Sequence, residues 1–201
     1  MKRFLSMLMM LVLLCGCFAM AEEKTFDYKV LEGLDGYSYD KFAKMWSYEG
    51  EYRKNYTDGC ISIKLGAGGD KESVQGVMLT AGAYKSDGST FATIDKVDIL
   101  ADDTLISVKL LSLKGQEVKL LTIANVEALR IISEAKEISF KISTEYGSYF
   151  VLEPTEDEIA DFIQAAKVII ENDLLSFATN EGMDSQQIEK LEETYPLTIE
   201  R

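Results

Sequence analysis

The densest group of side chains able to bind a ligand lies at positions 37–56, in the stretch YSYDKFAKMWSYEGEYRKNY. This stretch contains the only tryptophan of the chain and five of its ten tyrosines. From position 46 onward the aromatic residues fall at even positions, so a β-strand would place them on one face and the charged residues on the other. Aromatic rings with polar tips stack on sugars and attract cations. The pattern therefore predicts a ligand-binding platform, formed by Trp46, Tyr48, Tyr52 and Tyr56.

The same aromatic row is also typical of a core strand, because strands are enriched in aromatic residues whether or not they bind a ligand. In that case the rings build the core and the tyrosine hydroxyls reach its rim. Gly50 interrupts the row, which indicates a β-bulge or a position that another segment approaches closely. A short helix over 39–46 would remove the start of the row. The orientation of Trp46, Tyr48 and Tyr52 decides between the two interpretations.

The chain contains no histidine, which restricts the chemistry that it can perform. Ser-His-Asp and Cys-His catalysis require an imidazole, as do nearly all zinc, copper and non-haem iron sites. Any reaction would have to use carboxylates, hydroxyls, lysines or oxygen-bound hard ions. With 34 acidic residues, no particular pair of carboxylates for glycoside hydrolysis stands out. The sequence predicts no catalytic residue, metal ligand or cofactor.

Two further segments carry residue types that occur in ligand sites but lack the spacing. The glycine-rich stretch GAGGDKES at 66–73 has Asp70 before Lys71, so it matches neither a Walker A loop nor a dinucleotide fingerprint. A flexible hairpin loop is predicted there. Four aspartates offer oxygen ligands to Ca²⁺ without the spacing of an EF-hand, and a solvated acidic turn is predicted instead. These are Asp95, Asp98, Asp102 and Asp103.

The N-terminus has the features of an export signal. Lys2 and Arg3 precede an apolar run, Phe4–Leu14, which is shorter than the about 20 residues that cross a bilayer. Ala19-Met20-Ala21 fits the A-x-A cleavage rule, and two glutamates follow it. Residues 1–21 are therefore predicted to be a signal peptide. The protein is expected to be secreted or to reside in the periplasm or cell envelope.

A second cleavage site competes with the first. Leu14-Cys15-Gly16-Cys17 resembles a bacterial lipobox, in which Cys17 would be lipidated and would anchor the chain to a membrane. With cleavage after Ala21, Cys60 is the only cysteine that remains, as a free thiol. Cys60 falls on the same face of its strand as Ser62 and Lys64, which indicates that its thiol is partly exposed. Free cysteines are also commonly buried, so both alternatives stay open.

Composition bounds the remaining possibilities. The chain of 201 residues is 47% hydrophobic, which is typical of a globular protein, and removal of the leader leaves enough residues for one domain, 22–201. The net charge of −13 repels phosphate backbones and anionic lipids. Nucleic acid is therefore not an expected partner, and membrane contact is expected only through a lipid on Cys17.

The pattern of the mature chain predicts a mostly β fold. Apolar and polar residues alternate in several segments separated by Gly and Asp turns, which is typical of antiparallel strands with one buried face. The clearest lie at 26–30, 61–65, 106–110 and 138–142. An antiparallel β-sandwich or open barrel is expected, with one short inserted helix and a C-terminal amphipathic helical segment.

The helices are predicted from their caps and apolar stripes. Asn125 is expected to cap a short helix over Val126–Ala135. Thr155 and Glu158 form a capping box, so that helices begin at about residue 155. A last amphipathic piece, 184–195, ends before Pro196.

These features favour an exported binding protein without enzymatic activity. The aromatic strand is its expected contact surface, and its partner is an unknown protein or glycan. A carboxylate-dependent glycan hydrolase and a lipid-anchored structural envelope protein remain as alternatives. The hydrolase predicts two acidic residues facing each other across a cleft.

Overall fold

The structure, a computed structural model, describes residues 25–113 and 116–201. The predicted signal peptide and the lipidation at Cys17 lie outside the described residues. Two antiparallel sheets hold the larger part of the regular secondary structure of the described residues, with 46% of residues in strands and 28% in helices, which confirms the predicted fold class. The seven strands of the first sheet are β1 (Tyr37–Asp40), β2 (Met45–Tyr56), β3 (Gly59–Gly69), β4 (Val74–Lys85), β5 (Thr90–Ala92), β8 (Leu111–Leu113) and β9 (Gln116–Leu121). The five strands of the second sheet are β6 (Ile94–Ala101), β7 (Thr104–Lys109), β10 (Ile138–Thr144), β11 (Tyr149–Leu152) and β12 (Leu197–Glu200).

Short hairpins connect most neighbouring strands, whereas the pairs β4–β9, β6–β10 and β7–β12 join strands that are distant in the chain. The first sheet runs β1-β2-β3-β4-β9-β8, with β5 also pairing with β4, and the second runs β11-β10-β6-β7-β12. In β10, Phe140 and Ile142 are buried, whereas Lys141 between them is exposed. This alternation gives each sheet one face for the core and one for solvent. The loop predicted at 66–73 is shorter in the structure. Gly66–Gly69 continue β3, and only 70–73 form the turn.

Four α-helices complete the described fold: α1 (Val126–Glu134), α2 (Glu156–Glu171), α3 (Leu174–Phe177) and α4 (Ser185–Thr194). The predicted starts of α1 and α4 are confirmed, but the role of Asn125 is not. Its side chain makes no capping bond to α1. Instead, its Oδ1 accepts a hydrogen bond from the backbone N–H of Thr122 at 2.9 Å and closes the preceding 3₁₀ turn.

The capping box of α2 is confirmed. The Thr155 hydroxyl accepts from the backbone N–H of Glu158 at 3.4 Å, and the Glu158 carboxylate accepts from the backbone N–H of Thr155 at 2.9 Å. That second bond lowers the pKa of the Glu158 carboxyl. Three acids in the first turn, Glu156, Asp157 and Glu158, also suit the positive end of the helix dipole.

α2 lies across the inner face of β2 and β3. Gly50 makes this contact possible, because a Cβ there would overlap the backbone carbonyl of Asp161. The position of Gly50 in the aromatic row indicated that another segment approaches it closely, and this segment is the backbone of α2. Phe140 from the second sheet joins the contact, with its ring centroid 5.5 Å from both Tyr52 and Phe162.

The C-terminal segment is held to both sheets. Lys119 of β9 is 3% exposed, and its Nζ lies 2.6 Å from Oε2 of Glu192 and donates to the backbone carbonyl of Tyr195 at 2.9 Å. The chain then enters β12, which pairs with β7. This last strand was not predicted.

Candidate functional site

The aromatic row of β2 points inward. Trp46, Tyr48 and Tyr52 are 1%, 2% and 1% exposed. The indole Nε1 of Trp46 donates to the backbone carbonyl of Asp70 at 2.7 Å, and its ring packs 5.6 Å from that of Phe26. The expectation of a ligand platform is corrected for these three residues, because their rings are buried in the core. Trp46 packs against Phe26, and α2 lies across the face of β2 that carries Tyr48 and Tyr52.

Tyr56, the fourth member of the row, is 50% exposed at the end of β2. No helix over 39–46 removes the start of the row, because 41–44 form a turn between β1 and β2. Cys60 is a free cysteine and is 4% exposed, which agrees with the buried alternative. Burial removes the thiol from the surface, so an intermolecular disulfide would require local opening.

The aspartates of the 95–103 segment serve separate structural purposes. The Asp98 carboxylate accepts from the Ser107 hydroxyl at 2.6 Å and lies 2.8 Å from Nζ of Lys96. The Asp102 carboxylate accepts from the backbone N–H groups of Lys136 and Glu137 at 3.1 and 3.0 Å. Within residues 25–113 and 116–201, no group of three or more acidic or cysteine side chains is placed to hold a metal ion.

A cavity of about 950 Å³ lies between α2 and one end of the second sheet. We call it the α2 groove. One wall is the exposed side of α2. The other is built from the end of β6, the β6–β7 turn, the segment that leads into β10 and the segment that follows β11. Its lining residues are Leu100, Asp102, Ala135–Ser139, Glu153–Glu156, Ile159, Ala160, Ile163, Gln164 and Lys167.

The helical wall of the groove follows from the periodicity of α2. Glu156, Ala160, Ile163 and Lys167 recur every three or four residues, so their side chains share one side of the helix. Ile159, which lies beside this side, is 1% exposed and anchors the wall to the core. Ala160 is exposed and small, so the wall is open at its centre.

The opposite wall is held in place by the two bonds of Asp102, which tie the β6–β7 turn to the segment that connects α1 with β10. Leu100 presents an apolar side chain to the groove and is 43% exposed. Together with Ala135, Pro154 and the half-buried Ile163, it provides an apolar surface.

Four carboxylates and two ammonium groups surround this apolar surface. The carboxylates belong to Asp102, Glu137, Glu153 and Glu156, and the ammonium groups to Lys136 and Lys167. A site with this excess of negative charge attracts cationic groups. The glycan hydrolase requires two carboxylates that face each other across a cleft. The groove is lined by four carboxylates, but none of its described lining residues is aromatic. The hydrolase therefore stays a prediction.

The α2 groove was not predicted from the sequence. Ile159 and Ile163 both fit the apolar stripe of an amphipathic helix, so the sequence does not distinguish the buried Ile159 from the half-buried Ile163. The available signal was Ala160, a small residue that shares its side of the helix with Glu156 and Lys167.

Among the helices of the described residues, none has the length and apolarity to cross a membrane. Comparison with protein-family models, with curated proteins and with solved structures finds no match to this chain.

Proposed function

We propose that this chain is an exported, non-enzymatic binding protein that holds a short peptide segment of a partner protein in the α2 groove. The observation that supports this proposal is the groove itself, which combines an exposed apolar surface with an excess of carboxylates. The ligand is a segment in which basic and apolar side chains occur together.

The dimensions and the chemistry of the groove favour this class of ligand. A volume of about 950 Å³ is near the upper end for cavities that enclose a small molecule, so the groove has room for several residues of an extended chain. Leu100 and Ile163 are placed to contact apolar side chains. Glu137, Glu153 and Glu156 are placed to pair with lysine or arginine, because charge-assisted bonds to carboxylates are the stronger ones.

The Ala160→Arg variant is expected to bind such a peptide at least about tenfold more weakly than the unchanged protein, because its side chain fills the groove and repels cations. The measurement is fluorescence polarisation with a labelled hexapeptide of alternating lysine and leucine, in 0.15 M NaCl. A hexapeptide of alternating glutamate and leucine is the comparison probe and is expected to bind more weakly.

The matched control is Ala43→Arg, in the exposed turn between β1 and β2. It changes the net charge by the same amount, so it corrects for general attraction between a cationic peptide and an acidic protein. Its affinity is expected to stay within about twofold of the unchanged protein. Equal affinities for Ala160→Arg and Ala43→Arg, or no saturable binding by the unchanged protein, would contradict the groove as the binding site.

Export is tested separately at the N-terminus. Protein purified from a bacterial host with its own leader is expected to begin at Glu22, because cleavage follows Ala21. Intact-mass spectrometry and N-terminal sequencing measure this. A diacylated Cys17 would support the lipid-anchored alternative, and a soluble chain that retains residues 1–21 would argue against export.

A further inference from the structure

β11 forms one edge of the second sheet and pairs, among the described strands, only with β10. The backbone N–H of Thr144 donates to the carbonyl of Ser148 at 2.9 Å, so these two residues are a hydrogen-bonded pair of the β10–β11 ladder. Such pairs alternate along antiparallel strands, so Phe150 directs its backbone groups to β10, whereas Tyr149 and Val151 direct theirs away from the sheet. In the described residues, no hydrogen bond reaches these four outward groups.

Exposed apolar side chains surround the same edge. Tyr149 and Val151 lie on the outer face of the sheet, the side away from the core, and are 62% and 57% exposed. Tyr146, in the turn before β11, is 87% exposed. On the inner face, the ring of Phe150 meets the ring of Phe91 edge to face at 6.1 Å, and Phe91 is 40% exposed. A group of exposed apolar side chains of this kind marks an interaction surface.

The other edge strands of the described sheets carry features that discourage pairing with another chain. β5 and β8 each have only three residues. β1 ends with Asp40, and β12 follows Pro196 and ends with Glu200. Short edges, charged residues and proline are the features by which natural sheets avoid edge-to-edge association. β11, with the sequence YFVL, contains neither a charge nor a proline, so it is the edge best suited to accept a further strand.

We propose that β11 pairs with β11 of a second copy of this chain, antiparallel and about a twofold axis at Phe150. In this register Tyr149 lies opposite Val151 of the second copy, and Val151 lies opposite Tyr149 of the second copy. Each of these two pairs exchanges two hydrogen bonds, so the four outward groups of each strand are all used. The interface is isologous, and it joins two five-stranded sheets into one sheet of ten strands.

The register is set by the sequence of β11 itself. A shift by one residue would bring Tyr149 opposite Leu152, whose backbone groups already face β10, and would place the two side chains on opposite faces. With the axis at Phe150, Tyr149 packs against Val151 on the outer face and the two Phe150 rings meet on the inner face.

Charge also favours a second copy at this edge. Two chains of net charge −13 repel each other, so a contact between them requires a surface without like charges. β11 is uncharged, and continuation of the register places Glu153 opposite Gly147, so that no two carboxylates face each other. The lining of the α2 groove contains no residue of β11, so this interface and the proposed peptide site can be tested independently.

The test is sedimentation velocity of the mature protein from about 5 μM to about 500 μM, in 0.15 M NaCl. A reversible dimer is expected with a dissociation constant of about 100 μM or below, as for a small transient interface. Val151→Pro is expected to weaken it at least about tenfold, because it removes the outward N–H of both copies. That N–H makes no bond to β10, and edge strands tolerate proline, so the fold is retained. Val151→Thr keeps the N–H and the β-branched shape and is expected to stay within about threefold.

A second pair of variants controls for general surface hydrophobicity. Val151→Lys is expected to weaken the dimer at least about tenfold, because a lysine at a sheet edge opposes strand addition. Ile123→Lys adds the same charge at an apolar side chain that is 62% exposed in the 3₁₀ turn Ile123–Asn125, and it is expected to change the dissociation constant by less than about twofold. Circular dichroism melting curves show that all variants are folded.

Hydrogen exchange of the backbone amides locates the contact. The amides of Tyr149 and Val151 are expected to exchange rapidly at low protein concentration and to become protected as the concentration rises, whereas that of Phe150 is protected throughout by its bond to β10. The proposal is overturned by a chain that stays monomeric at about 500 μM, which would leave this edge to a strand of a different protein. It is equally overturned by a dimer that leaves the amides of Tyr149 and Val151 unprotected, or by equal effects of Val151→Lys and Ile123→Lys.

Discussion

Replacing Gly50 by alanine is expected to lower the free energy of unfolding by about 3 kcal/mol or more, as for severe overpacking of a core. The added Cβ would overlap the backbone carbonyl of Asp161 and would lie 2.7 Å from the Cβ of Ala165. Both atoms belong to the rigid framework of α2, so they cannot rotate away as the end of a long side chain would. The helix would have to move off β2, and the buried contacts of Phe162 would loosen with it.

Urea unfolding followed by tryptophan fluorescence measures this change, because Trp46 is 1% exposed in the folded state. The matched control is Gly76→Ala in β4. Its Cβ would lie 3.6 Å from the end of the Leu120 side chain, which is an ordinary contact. Its unfolding free energy is expected to change by less than about 1 kcal/mol. Equal losses at the two glycines would mean that α2 does not press on β2 as described.

Truncating Phe140 to alanine is expected to cost about 3–5 kcal/mol of stability, the range for a large aromatic side chain removed from a core. Its ring stacks on Tyr52 of the first sheet and meets Phe162 of α2 edge to face, both at 5.5 Å. It thus contributes to the core contact between the second sheet, the first sheet and α2. The cavity left behind cannot collapse easily, because three elements surround it.

The same substitution at Phe42 serves as the control, since Phe42 is 100% exposed in the β1–β2 turn. Phe42→Ala is expected to change stability by no more than about 0.5 kcal/mol. Stability is measured from the midpoint of urea unfolding. The dependence of the unfolding free energy on urea concentration is expected to be unchanged in both variants. A small effect at Phe140 would show that the two sheets are held together elsewhere.

Local pattern was sufficient to predict the strands at 61–65, 106–110 and 138–142 and the starts of α1, α2 and α4. The strand predicted at 26–30 is wrong, because Tyr28–Leu31 form a 3₁₀ turn. The alternation in 138–142 and the capping box at Thr155 and Glu158 each depend on residues within a few positions, so the sequence displays them directly. The aromatic row illustrates where such reasoning ends. Period-2 spacing shows that Trp46, Tyr48 and Tyr52 share a face, but it does not show which face is covered. For Tyr48 and Tyr52 the cover is α2, which follows more than a hundred residues later in the chain, and for Trp46 it includes Phe26, twenty residues earlier.

The candidate site could not be predicted for a related reason. The α2 groove combines residues near 100, 137, 155 and 163, and no local motif links these positions. The C-terminal segment is another example, because Lys119 and Glu192 are 73 residues apart in sequence and 2.6 Å apart in space. A buried lysine is recognised as structural only when its partner is known.

The proposal that a basic, apolar peptide lies in the α2 groove is tested most directly by nuclear magnetic resonance. Uniformly ¹⁵N-labelled protein is titrated with the hexapeptide of alternating lysine and leucine, and amide shifts are mapped onto the chain. The account predicts saturable shifts concentrated at 100–102, 135–139 and 153–167. Shifts spread evenly over exposed acidic residues, or concentrated on the outer faces of the sheets, would contradict it.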